Sequence, residues 1–271
     1  MAFDIGLWRS PRGDTHPHVN LDIDWDYWPQ ATHLVWEAPA LVACVTGGGG
    51  GSQQAMFKKH LDPLLAGALE RWQKTPLADP PATSLSAWFA EVQATFDATV
   101  EPPWADEFAC AAVAVLARPD GAAIGNVGME RAWRWRDGRL TQITKDFTLA
   151  DHGAAARGQQ LPDWFRQTPG SMLRKRSPDR EAFIRWQVAT LDLAPGDVIV
   201  LASGIHDTGI TTSYLAGAIE QMFDGNVVGA QDLATRLGDT VTRFASVSNR
   251  EDRTEWKVHS RVALAVVWND R

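Results

Sequence analysis

"FACAAVAVLARPDGAAIGNVGMERAWRWRDGRLTQIT", residues 108–144, decides how this chain folds. Two tight turns, Pro119-Asp120-Gly121 and Arg136-Asp137-Gly138, separate β-like runs within it. Glycine adopts positive φ at no steric cost, so Asp-Gly suits the short turn of a hairpin. Strands joined so closely are antiparallel neighbours. The run 108–117 is the longest apolar stretch of the chain.

Strand-like runs extend outward from it. Upstream, "ATHLVWEAPALVACVT" (31–46) predicts two paired strands around a Glu-Ala-Pro turn. Five glycines, 47–51, follow. Ser52 is then a candidate N-cap for a helix over 52–74, with Met56, Leu61, Leu64, Leu65, Leu69 and Trp72 at helical spacing. A loop over 76–83 leads to a second helix, Thr83 to Thr99. Downstream, 150–180 is polar and irregular, an excursion from the core. "RWQVATLDLAPGDVIVLAS" (185–203) reads as another pair of strands around Ala194-Pro195-Gly196-Asp197. Helices are expected over 211–223 and 229–246, and a last strand or hairpin in "TEWKVHSRVALAVVW" (254–268). No internal repeat or domain boundary interrupts the pattern, so residues 1–271 read as one domain. Tight turns between many strands point to antiparallel sheets covered by helices.

Composition narrows the function. Hydrophobic residues make up 45% and charged residues 22% of the 271, as in an ordinary globular protein. The net charge of -7 argues against nucleic acid as the main partner. Arg174-Lys175-Arg176 is a short basic cluster of the kind found on solvated turns. Cys44 and Cys110 lie in apolar runs and read as small buried hydrophobes, with no disulfide framework and no zinc-ligand spacing. The N-terminus lacks the apolar core of a signal peptide, and the longest apolar run, 108–117, is too short to span a bilayer. The expected location is the cytoplasm, with no membrane partner. Thirteen tryptophans are many for this length; several would be core, and an exposed cluster would mark a partner surface.

Four segments, in order along nearly the whole chain, resemble the metal-dependent type 2C (PPM) Ser/Thr phosphatases. The first is a strand followed by Thr46-Gly47-Gly48-Gly49-Gly50 and a helix, where the family has Asp-Gly-x-Gly-Gly. The second, "NVGMERAWRWRDGRLTQITKDFTL" (126–149), is similar to the family's Asn-x-Gly-Asp-Ser-Arg strand, Asp-Gly hairpin and Thr-x-Asp-His end. The third, "LAPGDVIVLASGIHDTG" (193–209), is similar to its Gly-Asp turn, apolar strand and Ser-Asp-Gly-Leu motif. The fourth is "EDRT" (251–254), where the family has Asp-Asn-x-Thr or Asp-Asp-x-Thr. The resemblance implies an α+β fold: a β-sandwich of two antiparallel sheets flanked by helix pairs, four layers deep.

The resemblance also implies two Mg²⁺ or Mn²⁺ ions between the sheets, held mainly by carboxylates that these residues no longer supply. Hard cations require oxygen ligands. At the aspartate positions stand Thr46, Met129 and Ser203, with Gly47 beside the first; Glu251 keeps a carboxylate and Asp252 adjoins it. Near the N-terminus, Asn20-Leu21-Asp22 keeps the ends of the family's Asn-Glu-Asp and loses its middle acid. Arg9 and Arg12 lie near where the family has a phosphate-binding arginine, and Phe147 replaces the histidine of Asp-His. A thioether is a poor ligand for these ions, and each lost carboxylate weakens their binding by several kcal/mol, on the order of a charged buried contact. The expectation is a catalytically inactive relative, a pseudophosphatase with no cofactor. It would bind a protein partner, such as a Ser/Thr kinase or a phosphoprotein, in bacterial phospho-signalling.

Other readings stay open. Asp22, Asp207, Glu251 and Asp252 would be the acids of a reduced Mn or Mg site, giving an active phosphatase. The glycine run also reads as a plain flexible loop, an engineered linker or an anion cradle, although it lacks a P-loop's Gly-Lys-Ser/Thr ending. Ser203, His206 and Asp207 are too close in sequence for a triad, whose members come from separate segments. His16 with His18, and Asp22 with Asp24 and Asp26, alternate as a solvated strand face would.

Overall fold

The structure, a computed structural model, describes residues 3–9, 30–35, 41–49, 79–99, 109–118, 121–151, 170–174, 176, 184–205, 209–251 and 263–269. Eleven strands occur among them: β1 (Phe3–Arg9), β2 (Gln30–Val35), β3 (Leu41–Gly49), β4 (Ala109–Arg118), β5 (Gly121–Val127), β6 (Arg131–Arg136), β7 (Arg139–Gln142), β8 (Leu173–Arg174), β9 (Gln187–Leu191), β10 (Val198–Ser203) and β11 (Ala263–Asn269). Three α-helices, α1 (Pro81–Thr99), α2 (Thr212–Asp224) and α3 (Ala230–Glu251), and one short 3-10 helix, Leu149–Asp151, accompany them. One sheet has the order β1-β11-β10-β6-β7; the other runs β2-β3-β4-β5-β9, with β8 on β4. Every pairing is antiparallel.

Strand alternation explains the layers. On β4, Cys110, Ala112, Ala114 and Leu116 face the Trp88, Phe89 and Phe96 side of α1, while Val113, Val115 and Ala117 face the opposite sheet. On β10, Val198, Val200 and Ala202 pack with residues of α2 and α3, and Ile199 and Leu201 join the layer between the sheets. A strand buried on both faces needs apolar residues at every position, so β4 and β10 read as continuous runs. The result is helix, sheet, sheet, helix.

Two features differ from the sequence expectation. β9 and β10 do not pair: β9 is the edge beside β5, and β10 lies between β6 and β11 in the other sheet. The Ala194–Asp197 turn therefore crosses from one sheet to the other. Gly47 to Gly49 continue β3 rather than turning away from it, paired with Ala111, Cys110 and Ala109. Ladder hydrogen bonds to β4 override glycine's weak strand propensity there. The 52–74 helix and most of the 150–180 excursion lie outside the described residues; β8 is the described part of the latter that joins a sheet. No helix among the described residues is long and apolar enough to cross a membrane.

Candidate functional site

The β5–β6 turn carries the chain from one sheet to the other, and the site forms around it. Its first residue, Gly128, has φ +85°, and a Cβ there would lie 2.6 Å from the Cβ of Ala111. Only glycine lets the turn press so closely onto β4, at the residue paired with Gly47. Asn126, fully buried at the end of β5, donates to the carbonyls of Glu130 (3.3 Å) and Lys145 (2.9 Å), and its Oδ1 accepts from Gln187 Nε2. Arg131 donates to Asp146 through Nε (3.0 Å) and Nη2 (2.7 Å). Thr144 Oγ1 accepts from Ala132 N at 2.9 Å, and Phe147 N donates to the carbonyl of Gly128. The turn is thus held from three sides by polar contacts.

That scaffold presents Met129 and Glu130. Both are buried, each with 3% exposure. Glu130 Oε2 accepts from Gly204 N at 3.3 Å, which joins the turn to the end of β10. Ser203, the last residue of β10, is fully buried, and its Oγ has no hydrogen-bond partner. Asn126 on β5 and Ser203 on β10 are in phase with Ile124 and Leu201, two residues of the inter-sheet layer, and Glu130 immediately precedes β6. An otherwise apolar interface becomes polar at this end.

Both sheets and the helices on both sides have the arrangement seen in a set of solved structures. A Mycobacterium tuberculosis serine/threonine phosphatase, PstP/Ppp, matches with TM-score 0.71 at 17% identity, covering 100% of both chains. The fold is that of the metal-dependent type 2C (PPM) Ser/Thr phosphatases. The PPM Ser-Thr phosphatase MsPP of Mycobacterium smegmatis, solved with cacodylate, matches this type 2C fold with TM-score 0.62 at 16% identity, over 99% of this chain and 98% of that one. PppA, a regulatory component of T6SS in Pseudomonas aeruginosa, matches with TM-score 0.64 at 16% identity, over 99% and 98%. No family model and no curated protein matches the sequence.

Within the type 2C fold, the predicted positions separate. Met129 and Ser203 lie at the end of the inter-sheet layer where the turn meets β10. Thr46 and Gly47 lie in β3, opposite Ala112 and Ala111. Ala112 belongs to the core on the helix side, and Ala111 is one residue further along. Glu251 ends α3. Asp22, Asp207 and Asp252 lie outside the described residues, as do Arg12, His16, His18 and His206.

The catalytic domain of PstP has been solved with two manganese ions. The donors described here do not fit a pair of divalent ions. A methionine sulfur and a serine hydroxyl are neutral, and a thioether is soft where these ions demand hard oxygen. Among the described residues, no group of three or more His, Cys, Asp or Glu side chains gathers in one place. Glu130 is the acid that sequence reading passed over, one residue beyond Met129. It lies in the turn just before β6, and its burial follows from the contact with Gly204 rather than from any local sequence signal.

Proposed function

We propose that this protein is a type 2C phosphatase-like module that acts by binding rather than by hydrolysis. Its partner class is a Ser/Thr kinase or a phosphoprotein of bacterial phospho-signalling. The observation that carries this reading is Met129. Asn126, Gly128, Arg131, Thr144 and Asp146 hold the β5–β6 turn firmly in place, and that turn delivers a buried thioether where the resemblance calls for a carboxylate. Backbone support is kept while the ligand chemistry is changed. Ser203 repeats the pattern at the end of β10, with a neutral oxygen in place of an acid.

Without carboxylates to gather two ions, the metal-bound water that would attack a phosphoryl group is not generated. Loss of hydrolysis leaves binding of a phosphorylated segment as the proposed activity. The test is hydrolysis of a phosphothreonine peptide by the purified protein, with and without millimolar Mn²⁺. No turnover above a no-enzyme blank is expected. Mn²⁺-dependent turnover abolished by Glu251→Gln or Asp22→Asn would overturn the proposal in favour of a working phosphatase with a non-standard metal site.

A further inference from the structure

β8 is two residues long and takes over where β5 ends. β4 pairs with β5 from Ala112 onward, and with β8 at Ala109 and Cys110. So short a ladder is a weak hold, and Leu173 is the one fully buried apolar side chain among the described residues of 170–176. The rest of the hold is polar and falls mostly on backbone. Gln93, fully buried on α1, acts toward Arg174 as a neighbouring strand would. Its Nε2 donates to the Arg174 carbonyl at 2.5 Å, and its Oε1 accepts from the Arg174 amide at 3.3 Å. Gln93 Nε2 also donates to Asp97 Oδ1 at 3.1 Å, one turn along the helix. That oxygen accepts from the Arg176 amide at 2.8 Å, and the Arg176 guanidinium lies 3.5 Å from the other Asp97 oxygen.

The same segment reaches the β5–β6 turn. Gly170 N donates to the Phe147 carbonyl at 2.7 Å, and Phe147 N donates to the Gly128 carbonyl at 2.9 Å. The Ser171 carbonyl lies 3.3 Å from where a Cβ on Gly128 would stand. The buried Ser171 Oγ donates to the Arg185 carbonyl at 2.7 Å and accepts from the Arg185 amide at 2.6 Å. One short segment thus joins α1, the edge of β4, the approach to β9 and the turn that carries Met129.

We propose that residues 170–174, with Arg176, form a strap that opens as one unit. Gln93 and Asp97 are its latch on α1, and its opening loosens the β5–β6 turn. Segments with few buried apolar contacts open more readily than the core, and they do so cooperatively. Releasing the latch takes hydrogen-bond partners from Arg174 and Arg176 and leaves the two-residue ladder to hold the strap. When Gly170 then leaves Phe147, the contact of Phe147 with Gly128 loses its support. This goes beyond the binding-module reading and does not depend on it, because the latch residues belong to α1 and not to the site.

The experiment is amide hydrogen exchange on the full chain and two variants. Gln93→Met keeps much of the side chain's volume and removes its amide. It should speed exchange at Gly170, Arg174 and Arg176 by a common factor of about tenfold or more, with Phe147 rising alongside them, while Val113 and Val115 in the middle of β4 stay unchanged. Asp97→Ala, at a partly exposed position, loosens the latch without touching the core and should raise the same amides several-fold. It carries the test if Gln93→Met does not fold. Faster exchange confined to Arg174 or Arg176 would overturn the single unit. Unchanged exchange at Phe147 would overturn the link to the turn. An equal rise at Val113 and Val115 would mean loss of the whole fold's stability, and no strap.

Discussion

Asp197 holds both arms of the Arg136 guanidinium: Nε donates to Oδ1 at 2.7 Å, and Nη2 donates to Oδ2. Asp197 is 1% exposed and also accepts from the amide of Ala194 at 2.8 Å. The pair binds the β6–β7 hairpin to the connection by which the chain changes sheets before β10. Burial alone would raise the Asp197 pKa. The Arg136 hydrogen bond, the Ala194 amide and the charges of Arg136 and Arg134 outweigh it, so the carboxyl titrates below its ordinary value.

Asp197→Asn is therefore expected to destabilise the fold by about 2 kcal/mol, between the worth of an exposed pair and that of a fully buried one. The pH dependence gives the sign. A carboxyl held below its ordinary value of 3.8 stabilises the folded state fully above that value, and the contribution is lost as pH falls through the lower folded value. The gap between wild type and variant should hold from neutral pH down to about pH 4 and close below it. Urea unfolding across that range measures it, and a gap that widens in acid would refute this account.

Gly128 and Gly138 separate two costs that glycine substitutions usually mix. Both have positive φ, +85° and +74°. A Cβ at Gly138 meets nothing within 4 Å, whereas one at Gly128 lies 2.6 Å from the Ala111 Cβ. Gly138→Ala should cost about 1–2 kcal/mol for left-handed backbone alone. Gly128→Ala adds overpacking of about 1–3 kcal/mol. Thermal melts of the two variants should rank them in that order; equal shifts would mean that the turn at Gly128 relaxes away from β4.

How much of this was legible in sequence depended on whether the cause was local. The Asp137-Gly138 turn was legible because both residues take positive φ, the conformation for which that dipeptide is suited. The sheet change between β9 and β10 was not, because Pro195-Gly196 signals a reversal without saying which neighbour each strand will find. Exposure shows the difference after the fact: Ala189 and Thr190 are exposed on an edge strand, while β10 is buried throughout. The strand through Gly47–Gly49 was not legible because only its pairing with β4 makes it a strand. At the site, the substitution at Met129 was visible in sequence, but the carboxylate of Glu130 was not. Its contact with Gly204 joins residues 74 positions apart.

Asp4 on β1 caps α3 from 226 residues away: its Oδ2 accepts from Ala230 N at 2.7 Å. That amide is one of the donors that no residue of the helix itself can satisfy. Asp4→Ala should cost about 0.5–2 kcal/mol, and Asp4→Asn, which keeps an acceptor oxygen, markedly less. Hydrogen exchange at the α3 N-terminus should rise first in Asp4→Ala. Unchanged protection there would mean that the cap is replaced by solvent at no cost.

Ser203 gives the prediction most sensitive to what the site holds. Its hydroxyl is fully buried and meets no partner in the chain. In metal-free solution, Ser203→Ala removes an unsatisfied polar atom without leaving a large void, so it should stabilise the fold by about 1 kcal/mol. The same substitution elsewhere in a core, where the serine is hydrogen-bonded, destabilises. Destabilisation by Ser203→Ala would show that the hydroxyl already has a partner, such as a trapped water.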